Sequence, residues 1–279
     1  MRDTTTPLRI RAFVWAGAAV FIAAVVMVSA ALVWNARKVA LDDYEAQATR
    51  FVAGAEAAIN RSLPAADVLL ASMDELLGLS GSMSEWVAPD LASQRLRSSA
   101  RQNLMVRYVA LLDANGKTIA SSDAAGSALP LQLPPGFLAS VLEQPVSTLM
   151  ISPPVVSFAT AERVLYFARH LRMADSSLVV AIAELPVGAL SSVLVQGVDI
   201  TGLQVTLERA GGLLLLSAAN REEAITPVLS PPLQEVAALG QAWKAPARLS
   251  GEPALVVYRP ILYQDLRISA SIPLRDALA

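Results

Sequence analysis

Residues Ala12 to Trp34, AFVWAGAAVFIAAVVMVSAALVW, contain no charged side chain. As a helix, about 23 residues rise roughly 34 Å, enough to cross a hydrocarbon core of about 30 Å. A lone segment in lipid has to satisfy its own backbone groups, and a helix does so. Trp15 and Trp34 stand near its two ends, where indole rings favour the headgroup level. The run exceeds the h-region of an ordinary signal peptide. Ser29, Ala30 and Ala31 leave cleavage open, but the length favours an uncleaved anchor. Arg2, Arg9 and Arg11 precede the span, whereas Asp42, Asp43 and Glu45 soon follow Arg37 and Lys38. The expected orientation therefore keeps residues 1–11 in the cytoplasm and everything beyond the span at 12–34 outside. In a Gram-negative bacterium that is the periplasmic side of the inner membrane.

Several function classes are disfavoured by composition. There is no cysteine, so neither disulfides nor thiolate metal sites can form. The net charge is −2, with no long basic run, so nucleic acid is not an expected partner. His170 is the only histidine, which removes HExxH and histidine-rich metal sites. GxSxG, SxxK and P-loop motifs are absent. Asp113 with Asp123, and Glu222 with Glu223, fall at turns and read as solvated carboxylates. No enzyme chemistry, metal or cofactor is expected.

Residues 35–104 read as a long stalk helix followed by a second helix. Val52, Ile59, Ala66 and Met73 recur at heptad spacing, with Leu63, Leu70 and Leu77 as a companion row. This stripe can pack on its own domain or pair with a second copy as a homodimer. Pro64 predicts a kink or a fresh start. A loop is expected over 78–89, then a helix from Asp90 to Asn103.

From Tyr108 the apolar period changes to two. YVALLDANGKTIASS reads as strand, turn, strand, and Asn115–Gly116 suggests a type I′ hairpin turn. After a loop over 124–135, the expected elements are a short helix at Phe137–Leu142, strands at Thr148–Phe158, Arg163–Leu171 and Ser177–Ala183, and a helix from Pro186 to about Val195. The order then repeats. VTLERAGGLLLLS, from Val205 to Ser217, aligns without a gap on Val109 to Ser121, placing Leu207 on Leu111 and Gly212 on Gly116. AIAELPVGAL at 181–190 is echoed by ISASIPLRDAL at 268–278. Between them fall a short helix near Pro232–Leu239 and strands near Ala247–Leu249, Ala254–Arg259 and Leu266–Ser271. The fold class is α+β, with two copies of one antiparallel unit at 105–196 and 197–279.

At YVALLDANGKTIASS, VLYFARHL…SLVVAIAELPVGAL and VVYRPILYQDLRISASIPL the chain resembles the double Cache (PAS-like) sensor domain of bacterial membrane receptors. The resemblance covers roughly Val39 to Ala279. It implies a signalling sensor whose stalk helix leaves the membrane and runs along both modules, with a membrane-distal module (105–196) that usually holds a small ligand and a membrane-proximal module (197–279). It also implies a further span and a cytoplasmic output domain, often a diguanylate cyclase or a histidine kinase. No GGDEF-type motif or kinase nucleotide box occurs in this chain. The family's amine-sensing signature of aromatic and aspartate residues is not evident, so the ligand class stays open. An alternative is an anchored interaction or scaffold protein of the envelope without a small ligand.

The candidate binding residues lie on the strand Val164–His170. Alternation puts Tyr166 and His170 on one face and Phe167 and Arg169 on the other; either face can be the pocket. Arg169 suits a carboxylate ligand through its two-point fork, and Tyr166 offers a hydroxyl and a ring. Arg163, Ser157 and Arg172 flank them. In the second unit Tyr258 and Arg259 occupy the matching strand, and the run Leu213–Leu216 suggests a filled interior.

Overall fold

The computed structural model describes residues 6–79, 89–123, 131–173, 175–195, 200–218, 228–236, 239–263 and 265–278. Most of the loops expected at 78–89 and 124–135 lie outside them, as do Glu222 and Glu223.

One helix, α1, runs from Thr6 to Ala71 without a break. Its side chains from Trp15 to Val39 are all exposed, an apolar and bare segment long enough to cross a membrane. From Ala48 onward one side of the same helix is buried. Val52, Ile59, Ala66, Met73, Leu63, Leu70 and Leu77 are each at most 1 % exposed and join the inner faces of both sheets in a single core. The heptad stripe is thus spent on the chain's own domain. Pro64 lies inside α1 and does not end or restart it. Its missing N–H removes one backbone bond, but Leu63 and Ala66 on either side are packed into the core and hold the turn. The interruption comes at Ser72, after which α2 (Met73–Leu77) closes on Gly78 at φ +66°, whose N–H caps Asp74 and Glu75 carbonyls.

The elements that follow are α3 (Pro89–Gln102), β1 (Tyr108–Leu112), β2 (Thr118–Ser121), α4 (Phe137–Leu142), β3 (Met150–Ile151), β4 (Val155–Val156), β5 (Arg163–Arg172), β6 (Leu178–Pro186) and α5 (Val187–Val195). The second unit has β7 (Gln204–Arg209), β8 (Leu214–Ala218), α6 (Leu233–Val236), β9 (Trp243–Pro246), β10 (Pro253–Pro260), β11 (Leu266–Pro273) and α7 (Leu274–Ala277). Two expectations shift. The strand expected over Thr148–Phe158 is split in two, because Pro153 and Pro154 cannot donate to a ladder. The strand expected at Ala247–Leu249 lies earlier, at β9.

Each sheet is antiparallel and ordered alike, β2-β1-β6-β5-β3 (β4 also on β5) and β8-β7-β11-β10-β9. The likeness extends to single residues. Leu111 faces Ala181, which faces Arg169; Leu207 faces Ile268, which faces Arg259. Both hairpins slip register at the same place, between Leu111 and Leu112 and between Leu207 and Glu208. Both turns end on a glycine at positive φ, Gly116 at +84° and Gly212 at +85°. The turns are not type I′. Asp113 N–H donates to the Lys117 carbonyl, and Gly116 N–H to the Asp113 carbonyl. That makes a three-residue loop in which only the glycine needs the left-handed region. The Asp113 carboxylate fixes it by accepting from the N–H groups of Asn115 and Lys117.

The two sheets also touch. The Arg209 guanidinium, held by Asp265 at 2.6 Å, donates to the carbonyl of Ile151 on β3.

Candidate functional site

Strand β5 has two faces with different neighbours. Leu165, Phe167 and Leu171 join the core around α1. Val164, Tyr166 and Ala168 point the other way, into a cluster with Ala110, Leu112, Phe137, Val141, Val180 and Ile182 that α4 covers. Arg169 belongs to the helix side. Its Nη1 donates to Asp67 of α1 at 2.6 Å, and its Nε and Nη2 donate to the Ser147 hydroxyl and carbonyl. Tyr166 and His170 share the opposite face but not one site. His170 is buried with Nδ1 3.1 Å from the Val141 carbonyl. Arg163 is exposed at the start of the strand. An open cleft of about 640 Å³ lies beside Arg169, His170 and Arg172, near the end of α1.

What Tyr166 does meet is Glu184. In an otherwise apolar strand, Glu184 is only 5 % exposed and lies directly opposite both Tyr108 on β1 and Tyr166 on β5. The three form a row across adjacent strands. The Tyr166 hydroxyl donates to Glu184 Oε2 at 3.3 Å. Ser157, buried, also hydrogen-bonds this carboxylate. Arg107 Nη1 stands 3.8 Å from Oε1, while the same guanidinium pairs with Glu162 and donates to Thr160 Oγ1 at 2.8 Å. Of the sequence candidates, Tyr166 and Ser157 are therefore brought together; Glu184, Tyr108 and Arg107 were missed. The signal for Glu184 was one acid inside the run VVAIAELP.

Electrostatics follow from this enclosure. Burial pushes the Glu184 pKa above the ordinary carboxylate range, more than Arg107, Tyr166 and Ser157 pull it down. Burial, then the charge of Glu184, raises Tyr166. Tyr108 is raised by burial and partly relieved by its bond to Ser121. The row is a wall of acceptor and hydroxyl groups set in apolar surroundings, and it suits a ligand group that donates hydrogen bonds or carries positive charge.

The same face of the second sheet is built differently. The places of Tyr108, Glu184 and Tyr166 are taken by Gln204, Ser271 and Val256. Thr206, Glu208, Ser269 and Ser271 are all fully buried there. Arg248 reaches in and grips Glu208 with two bonds, at 3.0 and 2.6 Å, and donates to the Pro231 carbonyl at 2.7 Å. Thr206 links Glu208, at 2.6 Å, to Ser269, at 2.7 Å. The interior is occupied by the chain's own ion pair.

Among the described residues no group of three or more His, Asp or Glu side chains is placed to hold a metal.

No family model and no curated protein matches this sequence. Solved structures do. The extracellular domain of rpHK1S-Z16, named as a histidine kinase, superposes with TM-score 0.70 at 19 % identity, covering 86 % of this chain and 99 % of that one. The ligand-binding domain of the Pseudomonas aeruginosa amino acid chemoreceptor PctB, in complex with L-Arg, matches with TM-score 0.64 at 15 % identity, covering 85 % and 98 %. That of the Pseudomonas fluorescens chemoreceptor CtaA, in complex with L-leucine, matches with TM-score 0.60 at 17 % identity, covering 88 % and 100 %. The fold is that of these receptor domains, in agreement with the double Cache resemblance.

Proposed function

We propose that this chain is the extracytoplasmic ligand-sensing region of a bacterial transmembrane receptor. The segment 12–34 anchors it in the inner membrane, with residues 1–11 cytoplasmic and the sheets periplasmic. The first sheet (105–196) forms the membrane-distal, ligand-holding module, and the second (197–279) the proximal one. Signal output passes to a cytoplasmic diguanylate cyclase or histidine kinase domain outside these residues, and the receptor works as a homodimer through the exposed side of α1. Structural neighbours with amino acids bound support a small-molecule ligand.

The observation that carries this reading is the Tyr108–Glu184–Tyr166 row. It occurs on one sheet only, while the other has closed the same place with Arg248 and Glu208. A ligand with an ammonium or other cationic group facing Glu184 fits best, because a buried carboxylate with only partial compensation gains most from a positive partner. Calorimetric titration of the purified chain with amino acids and simple amines tests it. Saturable binding is expected, weakened about tenfold or more in Glu184→Gln. Absence of binding by any of these, together with no thermal shift, would remove the sensor reading.

A further inference from the structure

Tyr166 and Arg169 sit on the same strand and point to opposite sides of it, one into the Glu184 row and the other onto α1. Arg259 holds the matching position in the second sheet, as the shared register with Leu111 and Leu207 establishes. It too reaches α1, donating to Glu56 at 2.7 Å. Asp67 and Glu56 are about three helical turns apart, so they lie on one side of the helix. Between them Asn60 Oδ1 accepts the Leu262 N–H at 2.8 Å. The chain has thus kept, in both copies, an arginine that holds an acid of the long helix.

We propose that Arg169 and Arg259 are a matched pair of grips on α1, and that the Arg169–Asp67 grip carries a change at the Tyr166–Glu184 row into the helix. The second clause rests on the sensor reading; the first stands without it. The geometry supports different duties for the two. Arg169 is fixed on three sides, with Nε and Nη2 both on Ser147, so its fork moves with the strand and its neighbouring loop. Tyr166 is tied to the same stretch, since its N–H donates to Ser152 Oγ at 2.8 Å and its carbonyl accepts the Ser152 N–H at 2.8 Å. A displacement of the Tyr166 ring therefore reaches Arg169 through one short piece of backbone. Arg259 has no such neighbour. Val256 and Ser271 stand where Tyr166 and Glu184 would be, and Arg248–Glu208 locks the interior behind them. The second grip is a fixed hold and the first a responsive one. Asp67 also accepts from the phenol of Tyr263, which lies in the turn between β10 and β11 of the second unit, so this one carboxylate meets both units.

Hydrogen exchange read by mass spectrometry on the full chain in detergent micelles tests both clauses with near-isosteric variants. Asp67→Asn is expected to raise amide exchange over residues 63–71 about tenfold, and Glu56→Gln to do so over 52–60. Glu184→Gln is expected to change exchange over 63–71 and not over 52–60. That response should vanish when Asp67→Asn is also present, and survive in Tyr263→Phe, which spares Arg169. Unchanged exchange in both Asp67→Asn and Glu56→Gln overturns the grips. A Glu184→Gln response that is missing, or that persists beside Asp67→Asn, overturns the transmission. Failure of every amine to bind while the Glu184→Gln response appears would sink the sensor reading and leave the grips standing.

Discussion

Arg248 and Glu208 are almost wholly enclosed, with side chains 4 % and 0 % exposed. A buried pair costs desolvation on both sides, so its net worth is small while the cost of breaking it is large. Arg248→Ala should lower stability by about 3–5 kcal/mol in urea denaturation, because it strips Glu208 of both guanidinium bonds inside the sheet. Arg248→Met with Glu208→Met should recover most of that loss. Glu184 makes the opposite kind of prediction. Its folded pKa lies above the unfolded value of 4.5. The folded state therefore binds the extra proton, and the stability this group contributes rises as pH falls from above the raised folded pKa toward 4.5. The stability of wild type relative to Glu184→Gln, followed by denaturation across that window, should increase on acidification. These residues mark the limit of sequence reading. Alternation correctly separated Tyr166 from Arg169. It could not say that Arg169 already has a carboxylate, because Asp67 lies far away in the chain and nothing local names it. The same holds for Glu208 and the loop arginine that finds it.

Among elements, α1 is the one where sequence and structure differ most usefully. The stripe from Val52 to Leu77 was plain from spacing, and all of it is buried. Of the kink or fresh start expected at Pro64, the fresh start does not occur, because a proline only weakens a helix and packing on both sides decides whether the turn survives. Pro64→Ala should therefore raise stability by roughly 1–3 kcal/mol, restoring a backbone bond and helix propensity. Thermal and chemical denaturation would measure it; a loss of stability would mean that the proline ring itself is needed for the fit of α1 to the sheets. The hairpins were legible as hairpins because Gly116 and Gly212 punctuate alternating strands. Their turn type was not, since the choice of a three-residue loop depends on Asp113 bonding the following N–H groups. The split of β3 from β4 was written in Pro153–Pro154.

The whole molecule is two like sheets on one rod, their inner faces sharing one core with it. Arg209 of the second hairpin, paired with Asp265, adds a direct tie by donating to the Ile151 carbonyl of the first sheet. Arg209→Ala should loosen the units from each other more than it weakens either. Calorimetry would then show the single unfolding transition broaden, with the van't Hoff enthalpy falling below the calorimetric one; an unbroadened transition would show that the shared helix suffices to unite them. The repeat order was visible in the sequence, and so was the match of one hairpin on the other; the pairing of β1 with β6 and of β7 with β11 was not, because it joins residues that are distant along the chain, as Tyr108 and Glu184 are.

The unbroken length of α1 has a mechanical consequence. Sixty-six residues make a shaft about 99 Å long. As a lever it magnifies small angles: a tilt of one degree about one end carries the other end through about 1.7 Å. A side-chain rearrangement too small to alter either sheet is, at the opposite tip, a displacement larger than a carbon–carbon bond.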